Sequence, residues 1–301
     1  MSQWYYVRRN VSFKRRKVVV ILALESTVIA HGLPRPINKK TAFHLQDIAY
    51  KKKCLPKTIG IVNGQIRVGL TDEEIILMSE RDDIMKAGTR EIALAVATRR
   101  WAATTVSATI RIASAHGIKV FATGGIGGVH DVSNWDVSQD IYELSQSRMI
   151  VVSSGPKSIL NLPATAEMLE TFEITVLGFR TDEMPAFYTR SSGIKIQKVE
   201  ETSEIAEIFR TKEKLELPGS VLVFNPVQQE FEIDQLEMRT WLSEATKKMQ
   251  KENVSQKSVT PFLLKTIAEL SEGRTITSNV KLLESNVALA CDILHSLSKI
   301  Q

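Results

Sequence analysis

The sequence predicts a single α/β domain, an α/β/α layered fold in which helices cover both faces of a mostly parallel central sheet. The run Val18–Leu24 is apolar at every position, which is typical of a strand buried on both faces of a parallel sheet. Strand-like and helix-like segments then alternate to the end of the 301-residue chain, as in layered α/β folds. No linker rich in Gly, Ser or Pro divides them, so we expect one domain over residues 18–301 after a basic arm at residues 1–17.

Two local motifs define the first third of the chain. Asn63-Gly64 separates the strand-like segments Thr58–Val62 and Gln65–Val68, and this dipeptide favours the tight turn of a β-hairpin. Thr71-Asp72-Glu73-Glu74 has the form of a capping box, so a helix is expected to begin there and run towards Arg81. The elements expected next are a helix over Arg90–Arg99, a short strand at Ala103–Val106 and a helix ending at Gly117.

The rest of the chain carries further buried strands and two helices with recognisable ends. The strands are expected at Lys119–Ala122, Arg148–Ser153, Val176–Phe179 and Val221–Asn225. Thr260-Pro261 has the form of an N-cap followed by proline at the first helical position, and Gly273 closes that helix. Ser278 is then expected to cap a last helix from about Asn279 to Leu297.

The isoelectric point near 9.1 comes from the N-terminal arm. Six of the 39 basic residues lie in the first 17 positions, where there is no acidic residue: Arg8, Arg9, Lys14, Arg15, Arg16 and Lys17. The other 33 basic residues face 34 acidic ones, a balance of −1. We therefore expect no nucleic-acid-binding face, and the arm is interpreted either as an irregular start or as a mitochondrial targeting segment.

Cysteine content and hydropathy indicate a protein of a reducing compartment. Cys54 and Cys291 are too few for a disulfide framework, and no Cys/His cluster has the spacing of a zinc site. The seven apolar residues of Val18–Leu24 are too few to span a bilayer. We expect a cytoplasmic protein without membrane contact, and the basic arm leaves a mitochondrial location open.

In open α/β sheets, ligands collect beyond the carboxyl ends of the strands, and two such ends stand out here. Glu25 follows the first buried strand, where a carboxylate is out of place unless it is paired or catalytic. The glycine-rich loop Gly124–Gly128 follows another strand, but His130 stands where a dinucleotide fingerprint needs its third glycine. The loop predicts a close approach to a substrate or phosphate, with a tight structural turn as the alternative.

Lys157 follows the strand ending at Ser153, after Gly155 and Pro156. It is expected at the N-terminus of a helix, where the helix dipole and burial would both disfavour its positive charge. A neutral amine is what a Schiff-base nucleophile requires. A solvated surface lysine is the alternative that this position alone leaves open.

Alternating polar side chains at residues 135–140 suit either a metal ion or the start of a helix. Asp136, Ser138 and Asp140 offer oxygen atoms, which hard divalent ions such as Mn²⁺ or Mg²⁺ prefer. A helix N-cap at Ser138 or Asp136 is the alternative, and on local grounds it is the stronger one.

Together, these features resemble the pseudouridine-5′-phosphate glycosidases, also called the indigoidine synthase A-like family. The similarity runs in family order and spacing from about Val18 to about Leu294. The matching segments are Ala23–Pro34, Arg67–Leu70, Ala103–Val106, Gly117–His130, Gly155–Leu160, Thr260–Leu264 and Ser278–Val280.

The resemblance implies roles for nine residues. Lys157 matches the nucleophile, which attacks C1′ of the ribose and opens the ring to a covalent imine, and Glu25 matches the proton donor. Asp136 matches the residue that holds Mn²⁺. The other matches are to substrate contacts at Lys86, Val106, Ser138, Gln139 and Asp140, and to a catalytic-site asparagine at Asn279, at the start of the last helix.

The function implied is cleavage of the carbon–carbon glycosidic bond of pseudouridine 5′-phosphate to uracil and ribose 5-phosphate. The resemblance further implies Mn²⁺ as cofactor, with Mg²⁺ possible in its place, and a homotrimeric α/β/α sandwich. A separate pseudouridine kinase is expected, because the chain is too short to include one. Two other functions stay open: a different Schiff-base lyase or aldolase acting on a sugar phosphate, and nucleotide binding without turnover.

Overall fold

The computed structural model describes residues 20–252, 254 and 259–299 of the chain. Strands and helices alternate through most of this length, as the sequence predicts. The basic arm expected at residues 1–17 lies outside the described residues.

The elements are as follows. The strands are β1 (Ile21–Leu24), β2 (Leu55–Val62), β3 (Gln65–Val68), β4 (Met85–Ala87), β5 (Ala102–Thr104), β6 (Val120–Ala122), β7 (Val129–Asp131), β8 (Asp136–Val137), β9 (Ile150–Ser153), β10 (Thr175–Phe179), β11 (Gln197–Val199) and β12 (Val221–Phe224). The α-helices are α1 (Ile37–Lys51), α2 (Asp72–Glu80), α3 (Thr89–Ala97), α4 (Val106–Ala115), α5 (Gln139–Gln146), α6 (Leu162–Thr171), α7 (Thr202–Lys214), α8 (Gln235–Lys251), α9 (Val259–Leu270) and α10 (Arg274–Lys299). A short π-helical segment lies at Val28–Gly32 and a 3₁₀ turn at Gln229–Phe231.

The main sheet has the strand order β11-β10-β12-β9-β6-β1-β2-β5-β4, with β3 paired to β2. Neighbours from β11 to β2 are parallel, as are β4 and β5, whereas β2 runs antiparallel to β3 and β5. Strands β7 and β8 form a separate antiparallel ribbon. The mostly parallel sheet is thus confirmed, and it brings the carboxyl ends of its central strands to one edge.

Two apolar layers enclose the sheet, as the α/β/α prediction requires. Leu22 and Leu24 face a layer that includes α1, α7, α8, α9 and α10. Ala23 faces the opposite layer, with α4, α5 and α6. Burial on both faces explains why β1 lacks the alternation of a half-exposed strand. In the part of the chain that the structure describes, no helix is both long enough and apolar enough to cross a membrane.

The hairpin and the capping box form as predicted. Asn63 and Gly64 both take left-handed φ angles, 50° and 76°, and join β2 to β3 with Val62 opposite Gln65. At the start of α2, the Glu74 amide donates to Thr71 Oγ1 at 3.2 Å and the Thr71 amide donates to Glu74 Oε2 at 2.9 Å.

Helix boundaries differ from the prediction at three places. The strand predicted at Ala103–Val106 ends at Thr104, and Val106 is the first residue of α4. Helix α9 already begins at Val259, one residue before the predicted cap. Helix α10 begins at Arg274, so the buried Ser278 lies inside it and is not its cap.

Ser271 explains the early start of α10. Its hydroxyl accepts a hydrogen bond from the Thr275 amide at 3.3 Å, and the Arg274 amide donates to the Ser271 carbonyl at 3.0 Å. The turn that closes α9 therefore also begins α10. Asn279 consequently lies in the second turn of the helix and not at its start.

Candidate active site

A cavity of about 410 Å³ opens at the carboxyl ends of β1, β5, β6 and β9, where α/β sheets bind their ligands. Its wall includes all nine residues that the sequence analysis singled out: Glu25, Lys86, Val106, Asp136, Ser138, Gln139, Asp140, Lys157 and Asn279. The fold thus brings together residues that are far apart in the chain. The chemical role of each one stays a prediction.

Glu25 is the first residue after β1 and lies between two hydroxyl groups. Its carboxylate accepts hydrogen bonds from Thr27 on one oxygen and from Thr123 on the other. Burial raises the pKa of the Glu25 carboxyl above its ordinary value, and the Lys157 charge and the two hydroxyls offset this effect only in part. The carboxyl therefore keeps its proton to a higher pH than usual, as a proton donor must.

Lys157 lies in the turn after β9 and not at a helix N-terminus, which corrects the sequence prediction. Helix α6 begins only at Leu162, because Asn161 caps it by accepting a hydrogen bond from the Ala164 amide at 3.0 Å. The helix dipole consequently does not act on Lys157 in the way expected, since its effect fades within the first turn.

The turn that carries Lys157 is held against the glycine loop. The Ile126 amide donates to the Gly155 carbonyl and the Lys157 amide donates to the Ile126 carbonyl, both at 3.1 Å. Gly155 has a φ of 101°, and a Cβ there would lie 2.0 Å from the Pro185 carbonyl oxygen. Only glycine fits this position, so the path of the chain into Lys157 is tightly defined.

The glycines of the loop at residues 124–128 make room for other groups of the protein. A Cβ at Gly127 would lie 2.3 Å from Ser138 Oγ, and one at Gly125 would lie 2.4 Å from the Phe187 ring. No glycine of this loop has a left-handed φ, so close approach and not turn geometry requires them. The loop forms a wall of the cavity, and its contact with a substrate phosphate stays a prediction.

Asp140 joins the glycine loop to helix α4. It is 5% exposed, its Oδ2 accepts a hydrogen bond from the Gly127 amide at 2.8 Å, and its Oδ1 accepts one from the Ser107 amide at 2.9 Å. Both oxygens thus have backbone donors within the protein. The Ser138 hydroxyl accepts a hydrogen bond from the Asp140 amide at 3.2 Å, so Ser138 does cap α5, the alternative noted for it above.

Two histidines line the cavity beside Lys86, and the sequence analysis gave neither a role. Burial lowers the pKa of both His31 and His130, and the Lys86 charge acts in the same direction on each. Asp136 has the opposite effect on His130. Lys86 itself lies in β4, a strand too short to show in the sequence pattern. At neutral pH the two imidazoles therefore add hydrogen-bonding groups without adding positive charge.

Sequence reasoning missed three other residues of the site: Thr27, Thr123 and Phe187. The two threonines stand beside recognised motifs, and a hydroxyl next to a predicted acid was an available signal. Phe187 had no such signal. It reaches the cavity because its backbone turns with a φ of 61° and its amide donates to the Ser154 carbonyl at 2.9 Å.

Asp136 is the candidate metal ligand. It is exposed at the start of β8 and close enough to His130 to act on its pKa. Within the described residues, no three His, Cys, Asp or Glu side chains are grouped so as to hold a metal ion. A single carboxylate does not suit zinc, which needs three or four protein ligands, but it fits a hard divalent ion that keeps most of its water.

Known proteins similar to this chain agree on one family. The family described as "Indigoidine synthase A like protein" matches residues 10–296. The protein named pseudouridine-5′-phosphate glycosidase from Pseudothermotoga lettingae is 57% identical over 281 residues, which are 93% of this chain and 99% of that protein. Its namesake from Kosmotoga olearia is 51% identical over 93% of this chain and 97% of its own length.

Two solved structures share the fold. An indigoidine synthase A-like protein from Thermotoga maritima superimposes with a TM-score of 0.87 at 40% identity, covering 97% of this chain and all of that one. The prealnumycin C-glycosynthase AlnA, solved in complex with ribulose 5-phosphate, gives a TM-score of 0.86 at 33% identity over 94% of this chain and 93% of its own. The chain therefore belongs to the indigoidine synthase A-like family.

Proposed function

We propose that this protein cleaves the carbon–carbon glycosidic bond of pseudouridine 5′-phosphate and releases uracil and ribose 5-phosphate. The observation that carries the proposal is the placement of Glu25 and Lys157 in one cavity, close enough for the lysine charge to act on the pKa of the carboxyl. The names of relatives up to 57% identical point to the same substrate. The complex of AlnA with ribulose 5-phosphate points to a pentose phosphate as the ligand of this fold.

The bond to be broken explains the need for a lysine. In pseudouridine the base leaves as carbon, so protonation of a glycosidic oxygen or nitrogen cannot release it. The pair of carboxylates used by ordinary glycosidases is therefore unsuitable. A primary amine can instead join the sugar covalently and supply the electron pair that expels the base.

The reaction balances in three steps. The neutral Lys157 Nζ bonds to C1′ as the C1′–O4′ bond breaks, which opens the ribose ring. The nitrogen then loses a proton, which passes to O4′ and makes it a hydroxyl. The nitrogen lone pair then forms a C=N bond as the C1′–C5 bond breaks, and C5 of uracil takes the proton of Glu25. Water finally hydrolyses the imine, which frees ribose 5-phosphate and the lysine.

The remaining residues of the cavity suit binding and orientation of the substrate. Lys86 is proposed as a partner of the 5′-phosphate, and it lines the cavity together with Val106, the first residue of α4. The strip Ser138–Asp140 forms another part of the cavity wall and is proposed to bind the substrate. Asn279 is proposed to contact the substrate from α10, as its amide offers both a donor and an acceptor.

We further propose Asp136 as the ligand of Mn²⁺, which Mg²⁺ can replace. A bound ion would hold ordered water and favour negative charge on the substrate near it. The single exposed carboxylate supports this assignment over a zinc site. Asp136→Asn should weaken the response to added Mn²⁺, measured as a shift in the metal concentration for half-maximal activity.

Uracil release tests the proposed function. The purified protein is incubated with pseudouridine 5′-phosphate and Mn²⁺, and uracil is followed by chromatography. Borohydride is added in parallel, and mass spectrometry locates the reduced sugar adduct. Uracil release and an adduct on Lys157 are expected. A different lyase would release no uracil, and a binding protein without turnover would show neither signal.

Assembly and pathway are also proposed. The resemblance suggests a homotrimer, which light scattering on the purified protein would test against a monomer of 33.7 kDa. The substrate is a nucleoside monophosphate, so a separate kinase that phosphorylates pseudouridine is proposed to supply it. Activity on pseudouridine itself would remove the need for that kinase.

A further inference from the structure

A fully buried amide on the last helix connects three strands at the active-site edge of the sheet. Asn286 in α10 is 0% exposed. Its Nδ2 donates to the Thr123 carbonyl at 2.8 Å and to Ser154 Oγ at 3.0 Å. Its Oδ1 accepts a hydrogen bond from Asn225 Nδ2 at 2.9 Å. These partners follow β6, β9 and β12, so one side chain bonds to the ends of three neighbouring strands.

Two of those strand ends lead directly to the proposed catalytic groups. The hydroxyl of Thr123, whose carbonyl Asn286 holds, donates to the Glu25 carboxylate. Ser154, held through its hydroxyl, is followed at once by Gly155 and the tight turn that carries Lys157. Asn286 is therefore connected to Glu25 through Thr123 and to the turn of Lys157 through Ser154.

Asn286 itself does not line the cavity, so its effect must pass through its partners. An apolar residue of similar size would leave the Thr123 carbonyl and Ser154 hydroxyl without this donor, and buried groups in that state are unfavourable. The loops after β6 and β9 would then move to find other partners. A hydrophobic helix contact alone does not need an amide at this place.

We infer that Asn286 is a positioning residue. Its bonds to Thr123 and Ser154 fix the positions of Glu25 and Lys157 relative to each other. The inference rests on the proposed function, in which Lys157 bonds to C1′ and Glu25 protonates C5, the two carbon atoms of the glycosidic bond. It assigns to α10 a part in the reaction beyond the substrate contact proposed for Asn279, which lines the cavity. The amide suits this role because it offers two donors and a carbonyl acceptor.

The chain supplies a matched control at the preceding position. Ser285 lies on the same helix and its Oγ accepts a hydrogen bond from Asn225 at 2.9 Å. No hydrogen bond among the described residues joins it to Thr123 or Ser154. Ser285→Ala therefore removes a hydrogen bond of the same cluster without touching the groups that lead to Glu25 and Lys157.

The test compares Asn286→Leu with Ser285→Ala, and Asn286→Ser replaces the former if it does not fold. Kinetics with pseudouridine 5′-phosphate give kcat, KM and the pH dependence of kcat. An NMR titration of ¹³C-labelled glutamate, with the Glu25 signal assigned from Glu25→Gln, reads the same carboxyl without turnover. The charged groups that act on Glu25 are Lys157 and Asp140, and both variants retain them.

We expect kcat of the Asn286 variant to fall at least ~10-fold with KM within ~3-fold, the pattern of a group needed mainly in the transition state. The Thr123 hydroxyl lowers the pKa of Glu25, so a weaker hydrogen bond from a displaced Thr123 should move the Glu25 titration upward. Ser285→Ala should match the wild type in both measurements.

A Glu25 titration that stays at the wild-type position in the Asn286 variant overturns the inference, whatever the change in melting temperature. The NMR measurement keeps the two hypotheses apart. A wild-type protein that releases no uracil would refute the proposed function, whereas the titration would still show whether Asn286 positions Thr123 against Glu25.

Discussion

Asp140→Asn is the most direct test of how the cavity is built. In the native protein, both carboxylate oxygens of Asp140 accept hydrogen bonds from backbone amides, those of Gly127 and Ser107. Asparagine keeps one acceptor and turns a donor towards the other amide. Loss of one such bond to a charged group costs about 1.5–3 kcal/mol, and the unpaired buried amide adds to this cost. We expect the free energy of unfolding to fall by about 3 kcal/mol.

Asp140→Asn should also lower the catalytic activity. The glycine loop and the first turn of α4 lose their common anchor, and small displacements of positioned groups reduce rates strongly, so kcat/KM should fall ~10-fold or more. Thermal unfolding should shift downward by about 6 °C, given ~2 °C per kcal/mol for a chain of this size. Urea titration, read as a change in midpoint at constant slope, would give the free energy directly.

Asp136→Asn provides the control, because it makes the same chemical change at an exposed position four residues away. Its melting temperature should remain within about 1 °C of the wild type, as for most surface substitutions. Equal stability of the two variants would refute the view that Asp140 clamps the loop to α4. Lower stability of Asp140→Asn with unchanged kcat/KM would separate the clamp from catalysis.

Three further outcomes are expected. Lys157→Ala should lose uracil release and the borohydride adduct together, and an adduct at another position would contradict the assignment. Glu25→Gln should lower kcat ~10²–10⁴-fold. The raised pKa of Glu25 keeps the donor protonated to a higher pH than usual, so wild-type kcat should fall as pH rises through that pKa, and the variant should lack this fall. Gly127→Ala, whose Cβ would lie 2.3 Å from Ser138 Oγ, should raise KM and lower the melting temperature, whereas Gly117→Ala faces open space and should cost only the ~1–2 kcal/mol of its left-handed backbone.

Local sequence patterns predicted much of the fold. The hairpin at Asn63-Gly64 and the capping box at Thr71 formed as expected, because their hydrogen bonds join residues a few positions apart. The unbroken apolar run before Glu25 predicted a strand with both faces covered. Short elements such as β4 escaped notice, since three residues carry too little periodicity to distinguish.

Errors arose where the sequence offered more than one start for a helix. Ser278 looked like a cap, but the Ser271 hydroxyl begins α10 a turn earlier. Lys157 looked like the start of a helix, but a bond to Ile126 holds it in a turn and Asn161 caps the helix that follows. At α10 and α6 a cap nearby in the sequence was overlooked, whereas the bond between Lys157 and Ile126 forms only in the folded chain.

The fold class and nine of the residues that line the cavity followed from the sequence, because residue types and their spacing encode strand burial, turn chemistry and family motifs. Only the tertiary structure decided what those residues face. It placed the Thr123 hydroxyl against Glu25 and the amides of Gly127 and Ser107 against Asp140. It also placed the Asn286 amide against the Thr123 carbonyl. Such contacts join positions up to 163 residues apart, and no local pattern encodes them, since they depend on which strands become neighbours in the sheet.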